Sequence, residues 1–191
     1  MTHPCELFTS AHITTLRGAS FEKVAENNGA LAPDIYLNWD DEEGVVAAQV
    51  KSEPNTLLSL QATVTTAPRW FSLNIGLGEG ALKAGDVLGL VIELETAEPL
   101  HTAPFIRTAW RKGGFADTRP SDKISVEAGR HVVTLLHTVT SEDPVLTAVF
   151  HTLVVPLPRA DFNLSLHDLR LFVIDAERGL RTVPLDMASI G

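Results

Sequence analysis

From Pro33 onward the chain is a series of short apolar stretches in which hydrophobic and polar residues alternate, and this period of two restricts the fold more than any other feature. In 57–65, Leu58, Leu60, Ala62 and Val64 point one way while Ser59, Gln61, Thr63 and Thr65 point the other. In 70–77, Phe71, Leu73, Ile75 and Leu77 form the inner set and Trp70, Ser72, Asn74 and Gly76 the outer one. Leu88, Leu90, Ile92 and Leu94 repeat the pattern, with Val91, Glu93 and Glu95 opposite. Successive side chains of an extended backbone face opposite sides, so each segment reads as a half-buried strand.

Segments 130–139 and 146–155 are apolar on both faces, which places both in the middle of a covered sheet, joined by a hairpin at Ser141-Glu142-Asp143-Pro144. Turn signals recur at Ala84-Gly85-Asp86, Ala128-Gly129 and Arg178-Gly179. Nine or ten short strands with almost no helix predict an all-β sandwich or barrel. Residues 1–33 read as an irregular N-terminal segment in which Phe21–Glu26 is the one helical scrap, and 34–191 as a single domain.

Composition excludes several functions. A formal net charge of -9 repels a polyanion, and no lysine- or arginine-rich tract offsets it, so nucleic acid is not an expected partner. No apolar run approaches the ~20 residues of a spanning helix, so no membrane is expected either. Cys5 is the only cysteine, which rules out an internal disulfide and a cysteine-rich metal site. The opening MTHPCELFTSAHITTLRG lacks the pattern of a signal peptide, and a cytoplasmic location is the expectation.

The segments WFSLNIGL, AGDVLGLVIEL, PFIRTAW followed by GGFADT, and DFNLSLHDLRLFVID come in an order that resembles the galactose-binding-like jelly-roll β-sandwiches, a group that includes many carbohydrate-binding modules. The resemblance implies an antiparallel jelly-roll β-sandwich. It also implies a sugar site on a concave sheet face or in end loops, often with a structural calcium ion, although other members serve only for packing or interaction. With aromatics at 6% and Trp39, Trp70 and Trp110 as the tryptophans, a broad stacking platform is not expected.

Aromatic, basic and acidic side chains crowd together in 104–119, PFIRTAWRKGGFADTR. With Ile106 and Trp110 inward, Arg107, Ala109 and Arg111 share the outer face; Phe105 competes with Ile106 for the inside. In the first register the outer face of one sheet collects Gln61, Trp70, Asn74, Glu93, Arg107 and Arg111. A ring that stacks, beside groups that take hydroxyls or a carboxylate, is the chemistry of a sugar or small anionic ligand site. The bland counterpart is a polar sheet face with Arg and Glu paired across strands. Asp117 and Arg119, in the following loop, either meet the ligand at the rim or pair with each other.

Other constellations are weaker. His131, His137, His151 and His167 fall in strands, and the expected hairpin would bring His137 near His151, but no three-ligand set can be assembled. Asp40-Asp41-Glu42-Glu43 offers oxygens to calcium without the spacing of a calcium loop, and reads as a solvated acidic turn. Gly76-Leu77-Gly78-Glu79-Gly80 lacks the helix and the Lys-Ser/Thr of a phosphate loop. The leading expectation is a non-catalytic module binding a carbohydrate or glycan-related ligand through Trp70, Asn74, Glu93, Arg107, Arg111, Asp117 and Arg119, with no catalytic residue. The alternatives are a structural or protein-interaction domain forming a homo-oligomer or complex, and a cupin-like or carboxylate-based enzyme.

Overall fold

The structure, a computed structural model, describes residues 2–147 and 150–178. The turn expected at Arg178-Gly179 runs into Gly179, which lies outside them. The described chain begins with a helix, α1 (Pro4–Arg17). It continues through β1 (Phe21–Val24), β2 (Ala30–Ala32), β3 (Ile35–Trp39), β4 (Val45–Glu53), β5 (Thr56–Thr66), β6 (Phe71–Glu79) and β7 (Val87–Thr96). Then come β8 (Leu100–Thr102), β9 (Phe105–Ala109), β10 (Phe115–Thr118), β11 (Ile124–Val126), β12 (Gly129–Thr138), β13 (Phe150–Pro156) and β14 (Phe162–Ile174).

Two six-stranded sheets face each other, one in the order β1-β4-β5-β14-β7-β12 and the other β10-β9-β13-β6-β3-β2, with β8 and β11 as a separate pair. From β5 onward the chain changes sheet at most of its connections, and every strand pairing is antiparallel. This is the jelly-roll β-sandwich that the resemblance implied. The alternation read from the sequence sets the inner faces: Ile35, Leu37, Phe71, Leu73 and Ile75 of the β6 sheet pack on the same buried core as Leu58, Leu60, Leu90, Ile92 and Leu94 of the β7 sheet. Burying a side chain of this size contributes about 1.5–3 kcal/mol.

Three expectations are corrected. The first 33 residues are not irregular, since they hold α1, β1 and β2, and β1 and β2 are edge strands of the two sheets. The His3 ring accepts from the Cys5 N–H, Pro4 occupies the first turn, and Gly18 follows the last. Its buried stripe is Cys5, Thr9, Ile13 and Leu16, at helical spacing. The segment expected as helix, Phe21–Glu26, instead supplies β1, whose residues 21–24 pair with 52–49 of β4; four residues gain more from a ready sheet edge than from one isolated turn. Finally, β12 and β13 form no hairpin and lie in different sheets. β13 sits between β9 and β6 as expected, but β12 pairs only with β7 among the described residues, with Val132 and Leu136 exposed.

The helix packs chiefly on β6 and β14. Gly78, with φ 75°, lets the Phe8 ring lie on the strand: a Cβ there would stand 2.6 Å from the ring. Phe8 in turn meets the Phe150 ring edge-on at 5.8 Å. Gly78→Ala is expected to lower unfolding stability by about 1–3 kcal/mol through the left-handed backbone alone, and by more if Phe8 is displaced. Urea titration followed by far-UV circular dichroism measures this, and an unchanged midpoint would contradict the described docking.

Candidate functional site

The outer face of the β6 sheet is assembled by strand register. Asn74 on β6 lies opposite Tyr36 of β3 on one side and Val154 of β13 on the other, and Val154 lies opposite Phe105 of β9. One row along, Ser72 stands between Asn38 and Pro156. In the direction of β10, Thr152 opposes Arg107, which opposes Asp117. Within this face is a cleft of about 580 Å³, walled by Trp70 and Arg69 at one end and by Phe105, Arg107 and Phe115 at the other, over a floor that includes Asn74 and Val154.

Trp70, immediately before β6, is 45% exposed. Its indole Nε1 donates to Asn38 Oδ1 at 2.7 Å, and Asn38 Nδ2 donates to Asn28 Oδ1 at 2.8 Å, so the ring is held in one orientation. The Arg69 guanidinium lies 5.1 Å from the ring centre. Arg69 is fixed by Asp40, whose buried carboxylate accepts from Arg69 Nε at 2.8 Å, Nη2 at 3.1 Å and the backbone N–H at 3.2 Å, and from Glu42 N–H at 3.3 Å. The acidic turn is solvated as expected at Asp41, Glu42 and Glu43 but not at Asp40, whose carboxylate is filled by N–H donors; Glu42 also takes Arg69 Nη2. The Arg69 hydrogen bonds outweigh the cost of burial and push the Asp40 carboxyl down to about 2.

At the other end Arg107 forms a two-pronged pair with Asp117, at 2.9 and 3.1 Å, and Arg119 Nη2 reaches the same carboxylate at 3.0 Å. The guanidinium of Arg107 lies 4.1 Å from the Phe115 ring centre and 5.4 Å from that of Phe105, and Arg119 lies 4.6 Å from Phe105. Between the two ends Asn74 is only 5% exposed; its Nδ2 donates to Ser72 Oγ at 3.1 Å. Burial pushes the pKa of the neighbouring Tyr36 hydroxyl up, against the pull of the Arg107 charge.

Of the seven sequence candidates, Trp70, Asn74 and Arg107 line one cleft, and at its rim Asp117 accepts from both Arg107 and Arg119. Glu93 does not join them. It lies on β7, in the opposite sheet, paired with Arg130 at 2.8 Å; Gln61, on β5, is in that sheet too. Arg111 lies beyond the end of β9, largely exposed and paired with Glu79 at 3.0 Å. Of the two registers for 104–119, the inward residues are Ile106 and Thr108, so Phe105 and Arg107 face out, and Trp110 is exposed in the turn rather than buried. Arg69, Arg159, Phe105, Phe115, Ser72 and Asn38 also line it, with Phe71, Val154, Pro156 and Leu157 as the remaining apolar part; the alternation on β6 that singled out Asn74 marks Ser72 as well.

The strand histidines have separate partners. Buried His151 accepts from the Thr108 hydroxyl at Nδ1 (2.9 Å) while Nε2–H donates to Gly80 C=O (3.1 Å), and burial pulls its pKa down, favouring the neutral ring. His137 meets Asp143 and His167 meets Glu95. Among the described residues no three His, Cys, Asp or Glu side chains cluster in a way that would hold a metal ion, and no helix is long and apolar enough to cross a membrane.

No family model matches the chain, and no curated protein matches it. Solved structures do. A family 4 carbohydrate-binding module shares 13% identity at a TM-score of 0.53, over 81% of this chain and 97% of its own. The family 11 module of Clostridium thermocellum, in complex with a β-1,3-1,4-mixed-linked tetrasaccharide, shares 11% identity at 0.50, over 81% and 97%. A Stig cyclase from Fischerella sp. TAU, in complex with a pyrrolidinylidene-indole, shares 10% identity at 0.52, over 92% and 98%. These likenesses define the class of fold: a jelly-roll β-sandwich of the kind built by carbohydrate-binding modules.

The Asp40–Arg69 pair predicts an acid-labile step. A carboxyl held lower in the folded state than its ordinary value near ~3.9 contributes stability above that value and loses it as pH falls toward about 2. Thermal melts are therefore expected to drop more steeply between about pH 4 and pH 2 in the native chain than in Asp40→Asn. Parallel slopes would sink the assignment.

Proposed function

We propose that this chain is a non-catalytic binding module that holds a carbohydrate across the outer face of the β6 sheet. The observation that carries the reading is the single cleft in which an exposed, oriented Trp70 is joined to the Asn74 floor and to Arg107. A pyranose ring offers an apolar face to the indole and a rim of hydroxyls to amide, hydroxyl and guanidinium groups, which matches this lining. Asn74 Oδ1 takes no hydrogen bond among the described residues, so the floor has an acceptor to offer a sugar hydroxyl. Among the described residues the lining holds no carboxylate, imidazole or thiol, the groups that most often carry general acid–base chemistry on a sugar, which favours retention of the ligand over its conversion. The fold shared with carbohydrate-binding modules supports the reading without choosing the sugar.

A second reading is favoured by the apolar part of the lining. Phe105, Phe115, Val154, Pro156 and Leu157 would equally cover a flat aromatic molecule, and one structure of the same fold holds an indole derivative. Isothermal titration with a panel of soluble oligosaccharides and with indole separates the two. The expectation is sugar binding that Trp70→Ala weakens about tenfold, or ~1.4 kcal/mol, with the melting temperature unchanged. Heat from indole and none from any saccharide would overturn the first reading in favour of the second.

A further inference from the structure

We infer that the ligand of this cleft is an acidic saccharide whose carboxylates are met by Arg107 at one end and Arg159 at the other; this rests on the carbohydrate reading above. The lining contains three arginines, Arg69, Arg107 and Arg159, and no aspartate or glutamate, in a chain whose net charge is -9. The three are not equivalent. Arg69 is saturated by Asp40 and Glu42, with Glu43 at 3.7 Å, and serves to hold the wall beside Trp70. Arg107 gives Nε and Nη2 to Asp117, which leaves Nη1 without an acceptor among the described residues. Arg119 leans on the same Asp117, so two guanidinium charges share one carboxylate at that rim. Arg159 donates only Nη1, to the Arg69 carbonyl at 3.3 Å, and no described carboxylate pairs with it.

Guanidinium donors that no described carboxylate takes therefore stand at both ends of the cleft, on Arg159 and at Arg107 Nη1. A neutral sugar would leave those donors to water. A uronic acid replaces one exocyclic hydroxymethyl group with a carboxylate, which accepts charge-assisted hydrogen bonds of about twice the strength of neutral ones. Phe105, Phe115 and Trp70 each carry a guanidinium group on the ring; Trp70, 45% exposed and oriented by Asn38, supplies the stacking surface and the arginines the discriminating contacts.

Isothermal titration should be run with soluble oligo-uronides, each alongside its carboxyl-reduced, neutral counterpart of identical linkage. The acidic oligomer is expected to bind about tenfold more tightly, with affinity falling as salt is raised. Arg159→Gln is expected to weaken the acidic oligomer about tenfold more than its neutral counterpart, so that the preference is lost at an unchanged melting temperature, whereas Trp70→Ala weakens both sugars alike. If the reduced oligomer binds as well as its parent, or Arg159→Gln weakens both equally, the charge assignment is wrong and the carbohydrate reading stands. If neither form of any oligomer binds, both fall.

Discussion

Every strand of a sandwich turns one face to the core, but β6 is buried on both faces over eight consecutive residues, and the site depends on that. Its inner side chains are the apolar set Phe71, Leu73, Ile75 and Leu77. Its outer ones are small or short, Ser72, Asn74, Gly76 and Gly78. Asp34 crowds Gly76 so closely that a Cβ would lie 2.6 Å from the Asp34 Cβ, and Phe8 of α1 covers Gly78. The glycine end is thus sealed by the helix and the loop before β3, while the Ser72–Asn74 end remains open as the floor of the cleft. One strand supplies the centre of the fold on one side and a recessed polar surface on the other.

The walls of that recess are stiffened by charge. A guanidinium on an aromatic face, itself anchored by a carboxylate, occurs at both ends: Asp40–Arg69–Trp70 and Asp117–Arg107–Phe115. Fully exposed ion pairs contribute about 0–1 kcal/mol each, but here the Asp40 carboxylate is buried and that of Asp117 nearly so. Their effect is to hold planar groups at fixed positions before a ligand arrives, which reduces the ordering cost of binding.

Strand faces were legible in the sequence where one face is wet. Leu58 to Val64, Phe71 to Leu77 and Leu88 to Leu94 all turn inward as alternation requires. Legibility failed where local pattern and tertiary partner disagree. The helix stripe uses Cys5 and Thr9, neither of which reads as an apolar anchor, and Thr14 and Thr15 lower its intrinsic propensity. Alternation places a residue on a face without naming the sheet, so Glu93 and Trp70 seemed to share a surface although β7 and β6 belong to opposite layers. β12 looked like a central strand because Val132 and Leu136 are apolar, yet its inward set, with Val133 and Leu135, is sufficient to hold it as an edge. Arg159, beyond the end of β13, carries no local signal at all: its place in the cleft follows from the strand pairings around it.

The mooring of α1 has a temporal consequence. Its two polar ties to β14 are Glu6, which accepts from the Val173 N–H, and Arg17, which donates to Asp168; these join residues 167 and 151 positions apart. A ribosome adding about 5–20 residues per second needs roughly 8–30 s to traverse such a separation. For that interval α1 has no β14 to dock on, and Ile13 and Leu16 stay without their final cover. The helix thus completes its docking only once β14 has been made, and a nascent chain halted before Asp168 would carry it without that cover.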